Sequence, residues 1–439
     1  MRARPARNRE IAPAAGTVGI AVTFLFEILL QTFRDIWAHK LRSALTMFGI
    51  SWGIASIVFM ITVGDAFRLG YRNMMYQLGT DIVILWGGRT SLQAGGQRVG
   101  RWVRFTDDDV RAIQQDCYLV RDVTPESART EPLRSRFNAG QFSVHGVAPI
   151  YQQIRTMNLA RGRPITEADA EQARDVCVLG EQVKRQLFAG REAVGAEVFI
   201  ANVPFRVIGV LAKKEQHNNS YNGLDEEKVL IPCSAMDRHF PDPSPITGPG
   251  RIDNIIFTPV TPGQHEAALE QVKAVLGRRH SFSPEDRGAL WVWDTVEQVR
   301  MVNTMFDSMQ VSLTFIAVTT LALGGVGVMN IMLVSVAERT REIGVKRAAG
   351  AKRRRILMEF FLEAMVLTLV SGLAGVAFAL SACAAVNRIP LPDPFSGFPV
   401  TMRTAVIAFA TLALVGILSA LYPARRAAWL EPVEALRHE

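Results

Sequence analysis

The densest chemistry in the sequence is electrostatic. Residues 338–355 run Glu338-Arg339-Thr340-Arg341-Glu342, then Lys346, Arg347, Lys352, Arg353, Arg354 and Arg355, with the two glutamates as the counter-charge. On a helix Glu338 neighbours Arg341 and Glu342, and Glu342 with Lys346 makes a supporting i,i+4 ion pair. A helix so charged, ending at Gly350, offers a rigid lever that a protein partner can grip. The tetrad Lys352–Arg355 alone would suit anionic lipid. Lipid attraction has no use for carboxylates, so the ordered Glu/Arg alternation favours docking.

Other chemistry is excluded or unsupported. No G-x-x-x-x-G-K-[ST] occurs, so nothing in these residues cradles nucleotide phosphates. Gly87-Gly88 and Gly95-Gly96 fall in a Gly/Arg-rich loop without the strand–helix context of a phosphate site. His217, His239 and His265 lack metal-ligand spacing, so no metal site is expected. No Ser/His/Asp or paired-carboxylate arrangement can be argued from sequence order, and the chain is not expected to be an enzyme. Cys117, Cys177, Cys233 and Cys383 show no CxxC. They read as small buried side chains, with the disulfide state of the first three left open.

The elements that must position the charged run are apolar. The chain has 439 residues, 49% hydrophobic, with a mean hydropathy of +0.15. That is too polar for a chain wholly in lipid, and it predicts a few spans plus a large water-exposed domain. The net charge of +8 lies beside apolar segments, which points to cytoplasmic loops of a membrane protein rather than to nucleic acid. Residues 1–40 read as a basic tail followed by an amphipathic interfacial helix. Spans are expected at 41–67, 310–337, 356–386 and 401–422, each at least as long as the about 20 residues needed to cross hydrocarbon. Between them lie a domain at 68–309, the charged connector at 338–355 and a short loop at 387–400, with a tail at 423–439. The first segment, the connector and the tail are all basic. The positive-inside bias therefore puts both termini and the connector in the cytoplasm and the large domain outside.

Two polar residues fall inside the expected spans, Asn330 and Glu363, and intramembrane polar groups are functional candidates by default. They could join helices by hydrogen bonds that stabilise one of two bundle arrangements. Alternatively, Glu363, soon after Glu359, snorkels to the cytoplasmic interface. Gly49 and Gly53 form a GxxxG pair that permits close helix contact and would suit a dimer seam.

The 68–309 segment reads as a folded α+β domain. Residues 81–86 are strand-like, and Thr106 with Asp109 suggests a capping box opening a helix. Residues 176–179 read as a buried strand and 181–188 as a helix. Residues 196–211 read as a hairpin turning at Ala201-Asn202. Residues 217–227 and 241–250 are polar and predict exposed loops. An amphipathic helix is expected at 265–279, and residues 291–306 predict a helix leading into the second span.

The stretches Gly324–Ala351, Tyr422–Leu436, Leu41–Gly64, Gly180–Phe188 and Val203–Val210 resemble those of the MacB/FtsX permease family. The resemblance covers most of the chain beyond residue 40. It implies that the connector is a coupling helix docking on an ABC ATPase, matching at Glu338, Arg339, Thr340, Arg341, Glu342, Gly344 and Gly350. It also implies a bacterial inner-membrane permease that pairs with a second copy or a paralogue. No cofactor is expected on this chain; ATP and Mg belong to the ATPase. Fused members begin with their own ATPase domain, so here the ATPase is expected as a separate subunit. A periplasmic adaptor and an outer-membrane channel are further partners the resemblance raises. Family substrates include peptides, macrolides and lipoproteins, acted on outside the membrane by transmitted conformational change. The alternatives are an FtsX-like regulator that activates a cell-wall hydrolase without transport, and a membrane-anchored sensor with no ATPase partner.

Overall fold

The computed structural model describes residues 40–214, 221–241, 251–389, 395 and 397–437. The basic tail, the amphipathic helix and nearly all of the 241–250 stretch lie outside the described residues. The chain divides into two compact units, one holding the described residues up to Phe67 and from Met305 onward, the other Arg68–Thr304.

The first helix, α1 (Lys40–Leu78), runs well past the expected end at residue 67. It is followed by β1 (Val83–Gly87), β2 (Phe105–Thr106), α2 (Asp107–Asp116), β3 (Val120–Arg134) and β4 (Ala139–Val147). Next come α3 (Tyr151–Ile154), β5 (Leu159–Gly162), α4 (Glu167–Glu171), β6 (Val176–Leu179), α5 (Glu181–Phe188), β7 (Glu197–Ile200) and β8 (Val203–Leu211). The unit ends with β9 (Lys228–Pro232), α6 (Cys233–His239), β10 (Arg251–Ile252), β11 (Asn254–Pro259), α7 (His265–His280) and β12 (Leu290–Asp294).

Ten strands form one sheet in the order β12-β1-β11-β3-β4-β9-β6-β8-β5, with β7 pairing β3 and β8. The sheet is antiparallel except at β4–β9 and β6–β8. Local signals explain several elements. Thr106 N–H donates to Asp109 Oδ2 at 2.9 Å, and with the reciprocal bond this completes the capping box that starts α2. The β7–β8 turn places Ala201 and Asn202 at φ 44° and 76°, both left-handed, as a tight two-residue hairpin requires. All four residues of β6 are buried.

Two readings of this unit need correction. Residues 291–294 are strand, not helix: alternating aromatic and apolar side chains pair with β1 from Val83↔Asp294 to Gly87↔Leu290, and the helix starts only at Thr295. Within 217–227, residues 217–220 lie outside the described residues; of the rest, Asn222 and Gly223 are exposed as expected, but the stretch is not exposed throughout. Tyr221 is buried, and Asp225 is 2% exposed because three cations converge on it.

The other unit is helical. It contains the remainder of α8 (Thr295–Glu338), α9 (Thr340–Ala348), α10 (Arg353–Val386), α11 (Met402–Ala428) and α12 (Pro432–Arg437). Among the described residues four helices, α1, α8, α10 and α11, are long and apolar enough to cross a bilayer. The α11 helix passes through Pro423 instead of stopping before it. Ile50, Ile54, Val328, Met332, Phe360 and Leu412 sit in one apolar core. Lipid offers apolar side chains no transfer gain, so close packing at small residues decides the fit. A methyl on Gly375 would lie 2.3 Å from Ser51 O, and Ser51 Oγ donates to Ser371 O at 2.6 Å. Gly49 and Gly53 face Gly324 and Leu321 of the same chain. Their small faces are therefore covered by α8 and are not open as a seam for a second copy.

Candidate functional site

The connector leaves helical geometry at one residue near its start. Arg339 (φ −100°, ψ 16°) is that residue and caps α9, so residues 338–342 do not form the continuous helix expected of them. Thr340 stitches the break: its hydroxyl donates to Val336 O at 3.0 Å and Ala337 O at 2.8 Å, satisfying carbonyls at the end of α8. The far end is closed by a Schellman motif. Gly350 N–H donates to Arg347 O and Ala351 N–H to Lys346 O, with Gly350 at φ +95°. Glycine is required there by backbone conformation, since a Cβ would meet nothing within 4 Å.

Ion pairs fasten this helix to α10. Lys346 Nζ lies 2.9 Å from Glu342 Oε1 and 2.8 Å from Glu359 Oε1. Burial works against the Lys346 charge, but the bonds to Glu359 and Glu342 outweigh it and raise the ammonium pKa. Arg339 Nη1 stands 3.6 Å from Glu363 Oε1. Glu363, only 5% exposed, therefore pairs with the connector rather than with Asn330. Asn330 is exposed on α8, and the two do not meet as expected. Ile343 and Gly344 form the buried side of α9. Arg353 stacks its guanidinium 4.6 Å from the Trp429 ring, and α9 packs against α12.

The opposite side of α9 is open. Arg341, Val345 and Ala348, at helical spacings of four and three, are exposed, Val345 by 54%. Glu342 and Glu338 are exposed beside them. Sequence reasoning singled out Arg341 and Glu342 but missed Val345, Ala348 and the anchoring Glu359. The signal was an apolar residue four positions after Arg341, off the face carrying Ile343. The side left open is a charged, partly apolar ridge on a helix anchored from behind.

Elsewhere, Ser143 Oγ lies 2.7 Å from His145 Nε2, and His145 Nδ1 lies 2.8 Å from Glu126 Oε1. This line has the connectivity of a nucleophilic relay. However, Ser143 and His145 lie mid-strand in β4, paired on one side with β3 and on the other with β9. The ladder therefore uses the amides an oxyanion would need. Glu126 also accepts from Tyr151 Oη at 2.7 Å and Asn254 Nδ2 at 3.1 Å, and the group reads as a satisfied polar core. His265, Glu266 and Glu297 approach one another closely enough to hold an ion. His265 Nδ1 is already bonded to Asp294 Oδ2 at 2.5 Å, and both glutamates are exposed and pair with Arg300.

Comparison with known families decides the kinship. Residues 43–275 match the MacB-like periplasmic core domain, and residues 314–432 match the FtsX-like permease C-terminal region. The chain belongs to the MacB/FtsX-like family of ABC permeases. Among its relatives is the macrolide export ATP-binding/permease protein MacB of Bdellovibrio bacteriovorus, 31% identical over 94% of this chain and 62% of that one. Another is the pyoverdine export ATP-binding/permease protein PvdT of Pseudomonas putida, 32% identical over 94% and 60%. The chain thus spans about three fifths of the length of the curated relatives it matches. The solved periplasmic region of MacB from Actinobacillus actinomycetemcomitans aligns over 52% of this chain and 94% of its own, with 20% identity and a TM-score of 0.41. The protein is accordingly a membrane permease of this family, with four helices able to cross a bilayer and a mixed α/β domain between the first two.

Proposed function

We propose that this permease converts ATP-driven movement of a cytoplasmic ATPase into movement of its α/β domain outside the membrane, serving efflux or envelope export. ATP and Mg are bound by an ATPase lying outside these 439 residues. The connector faces the cytoplasm, as do both termini, in the bacterial inner membrane. A second permease copy or paralogue completes the assembly, and an adaptor and outer-membrane channel extend it. The names of the relatives, exporters of a macrolide and of pyoverdine that join ATP binding to a permease, support this reading.

The single observation that carries it is the construction of α9. It is fixed to α10 by Lys346–Glu359 and Arg339–Glu363, while Arg341, Val345 and Ala348 are left facing outward. A ridge fastened on one side and open on the other passes a push on its outer face directly to the third span.

The test is reconstitution of the full chain with the ATPase that co-purifies with it. Arg341→Glu combined with Val345→Asp should abolish co-purification, while the α/β domain melts as in the wild type. Retention of the ATPase by that variant would refute the docking role.

A further inference from the structure

The last turn of a helix leaves four carbonyls without intrahelical partners. In α1 these belong to Met75, Tyr76, Gln77 and Leu78. Met75 O accepts from Gly79 N–H at 3.2 Å. Each of the other three is taken by a side chain from a distant part of the α/β domain. Thr156 Oγ1 donates to Tyr76 O at 2.8 Å, Lys214 Nζ to Gln77 O at 2.9 Å, and Arg155 Nε to Leu78 O at 2.7 Å. The helix has no basic residue of its own in that turn, so the positive charge that complements its dipole comes from outside.

The donors are themselves locked. Asp225 bridges Arg155 Nη2 at 2.9 Å, Lys214 Nζ at 3.0 Å and Lys228 Nζ at 3.1 Å. Burial by itself would raise the Asp225 pKa, but Arg155, Lys228 and Lys214 outweigh it and hold the carboxylate well below its usual range. Arg155 and Lys228 are fully buried, and the Arg155 guanidinium lies 4.4 Å from the Tyr221 ring. Two of the three cations held by this carboxylate, Arg155 and Lys214, are also the ones that donate to the helix carbonyls. Gly79, at φ +151°, lets the chain turn away at once; a Cβ there would meet Ile154 O at 2.7 Å.

The start of α8 is tied to the same place. Thr295 Oγ1 donates to Ile82 O at 2.8 Å, and Asp294 Oδ1 accepts from Val296 N–H at 2.9 Å and Glu297 N–H at 3.1 Å. Ile82 and Asp294 adjoin and end the β1–β12 pair, whose register starts at Val83↔Asp294.

We propose that Arg155, Thr156 and Lys214 form a clamp on the carbonyl end of α1, making that helix end and the α/β domain one rigid joint. They are positioning residues for transmission, and this role rests on the coupling reading above. A push arriving along α1 therefore displaces the domain instead of fraying the last turn.

The test uses the full chain in lipid nanodiscs, with Thr156→Val and Lys214→Met combined. This removes two donors and leaves Asp225 paired with Arg155 and Lys228. Loss of the Thr156 bond to Tyr76 O and of the Lys214 bonds to Gln77 O, Arg155 O and Asp225 Oδ2 should speed amide exchange over residues 75–79 by about tenfold or more, with β3 and β4 unchanged. Spin labels at Asn73 and Arg136 should give a narrow distance distribution that broadens in the double variant. Thr156→Ser alone, which keeps the hydroxyl, should behave as wild type. In the ATPase complex, hydrolysis should persist while the nucleotide-driven shift of the domain label is lost, an effect that mere loss of stability does not produce. Unchanged exchange at 75–79 would overturn the clamp. So would a domain that still follows nucleotide in the double variant. A wild-type complex whose labels never respond to nucleotide would refute the coupling reading instead, and the joint would then be decided by exchange and label width.

Discussion

Replacing Gly375 with Ala should force the first and third spans apart. The added methyl would sit 2.3 Å from Ser51 O, 2.9 Å from Ser51 Cα and 3.0 Å from Ser51 C. Those atoms are backbone, so no rotamer change can relieve the clash. Overpacking of this kind costs about 1–3 kcal/mol. Separation also stretches the 2.6 Å bond from Ser51 Oγ to Ser371 O, adding about 1 kcal/mol. The expected loss is therefore about 2–4 kcal/mol, read as the shift in SDS-driven unfolding in mixed micelles. The control is Gly325→Ala, whose methyl would meet chiefly Val415 Cγ1 at 2.9 Å, a side-chain tip able to turn. Its cost should stay within about 1 kcal/mol. A neutral Gly375→Ala, or equal losses at the two sites, would refute the close approach of α1 and α10 on which the bundle depends.

Two further outcomes are expected. Lys346→Met removes the tie from α9 to Glu359 and the intrahelical pair with Glu342; because Lys346 is 39% exposed, solvent screening limits the effect. Exchange of the α9 amides should rise roughly two- to tenfold, whereas Arg341→Met, on the open face, should leave it unchanged. The second outcome concerns pH. Burial, aided by Lys228 and Arg155 and opposed by Glu126, holds His145 below its ordinary value. The unfolded chain then takes up a proton below about pH 6.5 that the folded domain refuses, so stability must fall as the pH drops through that point, by at most about 1.4 kcal/mol per unit. The melting temperature of the domain should decline from pH 7 to pH 5, and His145→Gln should flatten that slope.

What could be read in the sequence depended on the range of the interaction. The spans were legible because a charge-free run of sufficient length, such as residues 43–64, has few other uses. The capping box at Thr106 and Asp109 and the turn at Ala201-Asn202 are local, and their partners lie within a few residues. Strand β12 was not legible, because aromatic and β-branched residues beside a helix suit either state, and only pairing with β1, far back in the chain, decides it. Composition likewise marked Asp225 as loop, since nothing local announces that Arg155 and Lys214 will reach it.

The site followed the same division. The charge order of 338–342 pointed to the connector, and Gly350 marked its end. Which face was open required the anchors on α10, Glu359 and Glu363, supplied by tertiary packing. Asn330 and the Gly49/Gly53 pair show the limit: a polar or small residue in a span is visible in sequence, but its facing is set by helix packing.

The most direct measurement is the sidedness of the connector in sealed membrane vesicles. Single cysteines at Ala348 and Asn138, each exposed, would be probed with a membrane-impermeant maleimide in right-side-out and inverted preparations. Ala348→Cys should be labelled only in inverted vesicles and Asn138→Cys only in right-side-out ones. Both sites reacting from the same side, or Ala348→Cys reacting from outside, would contradict that sidedness.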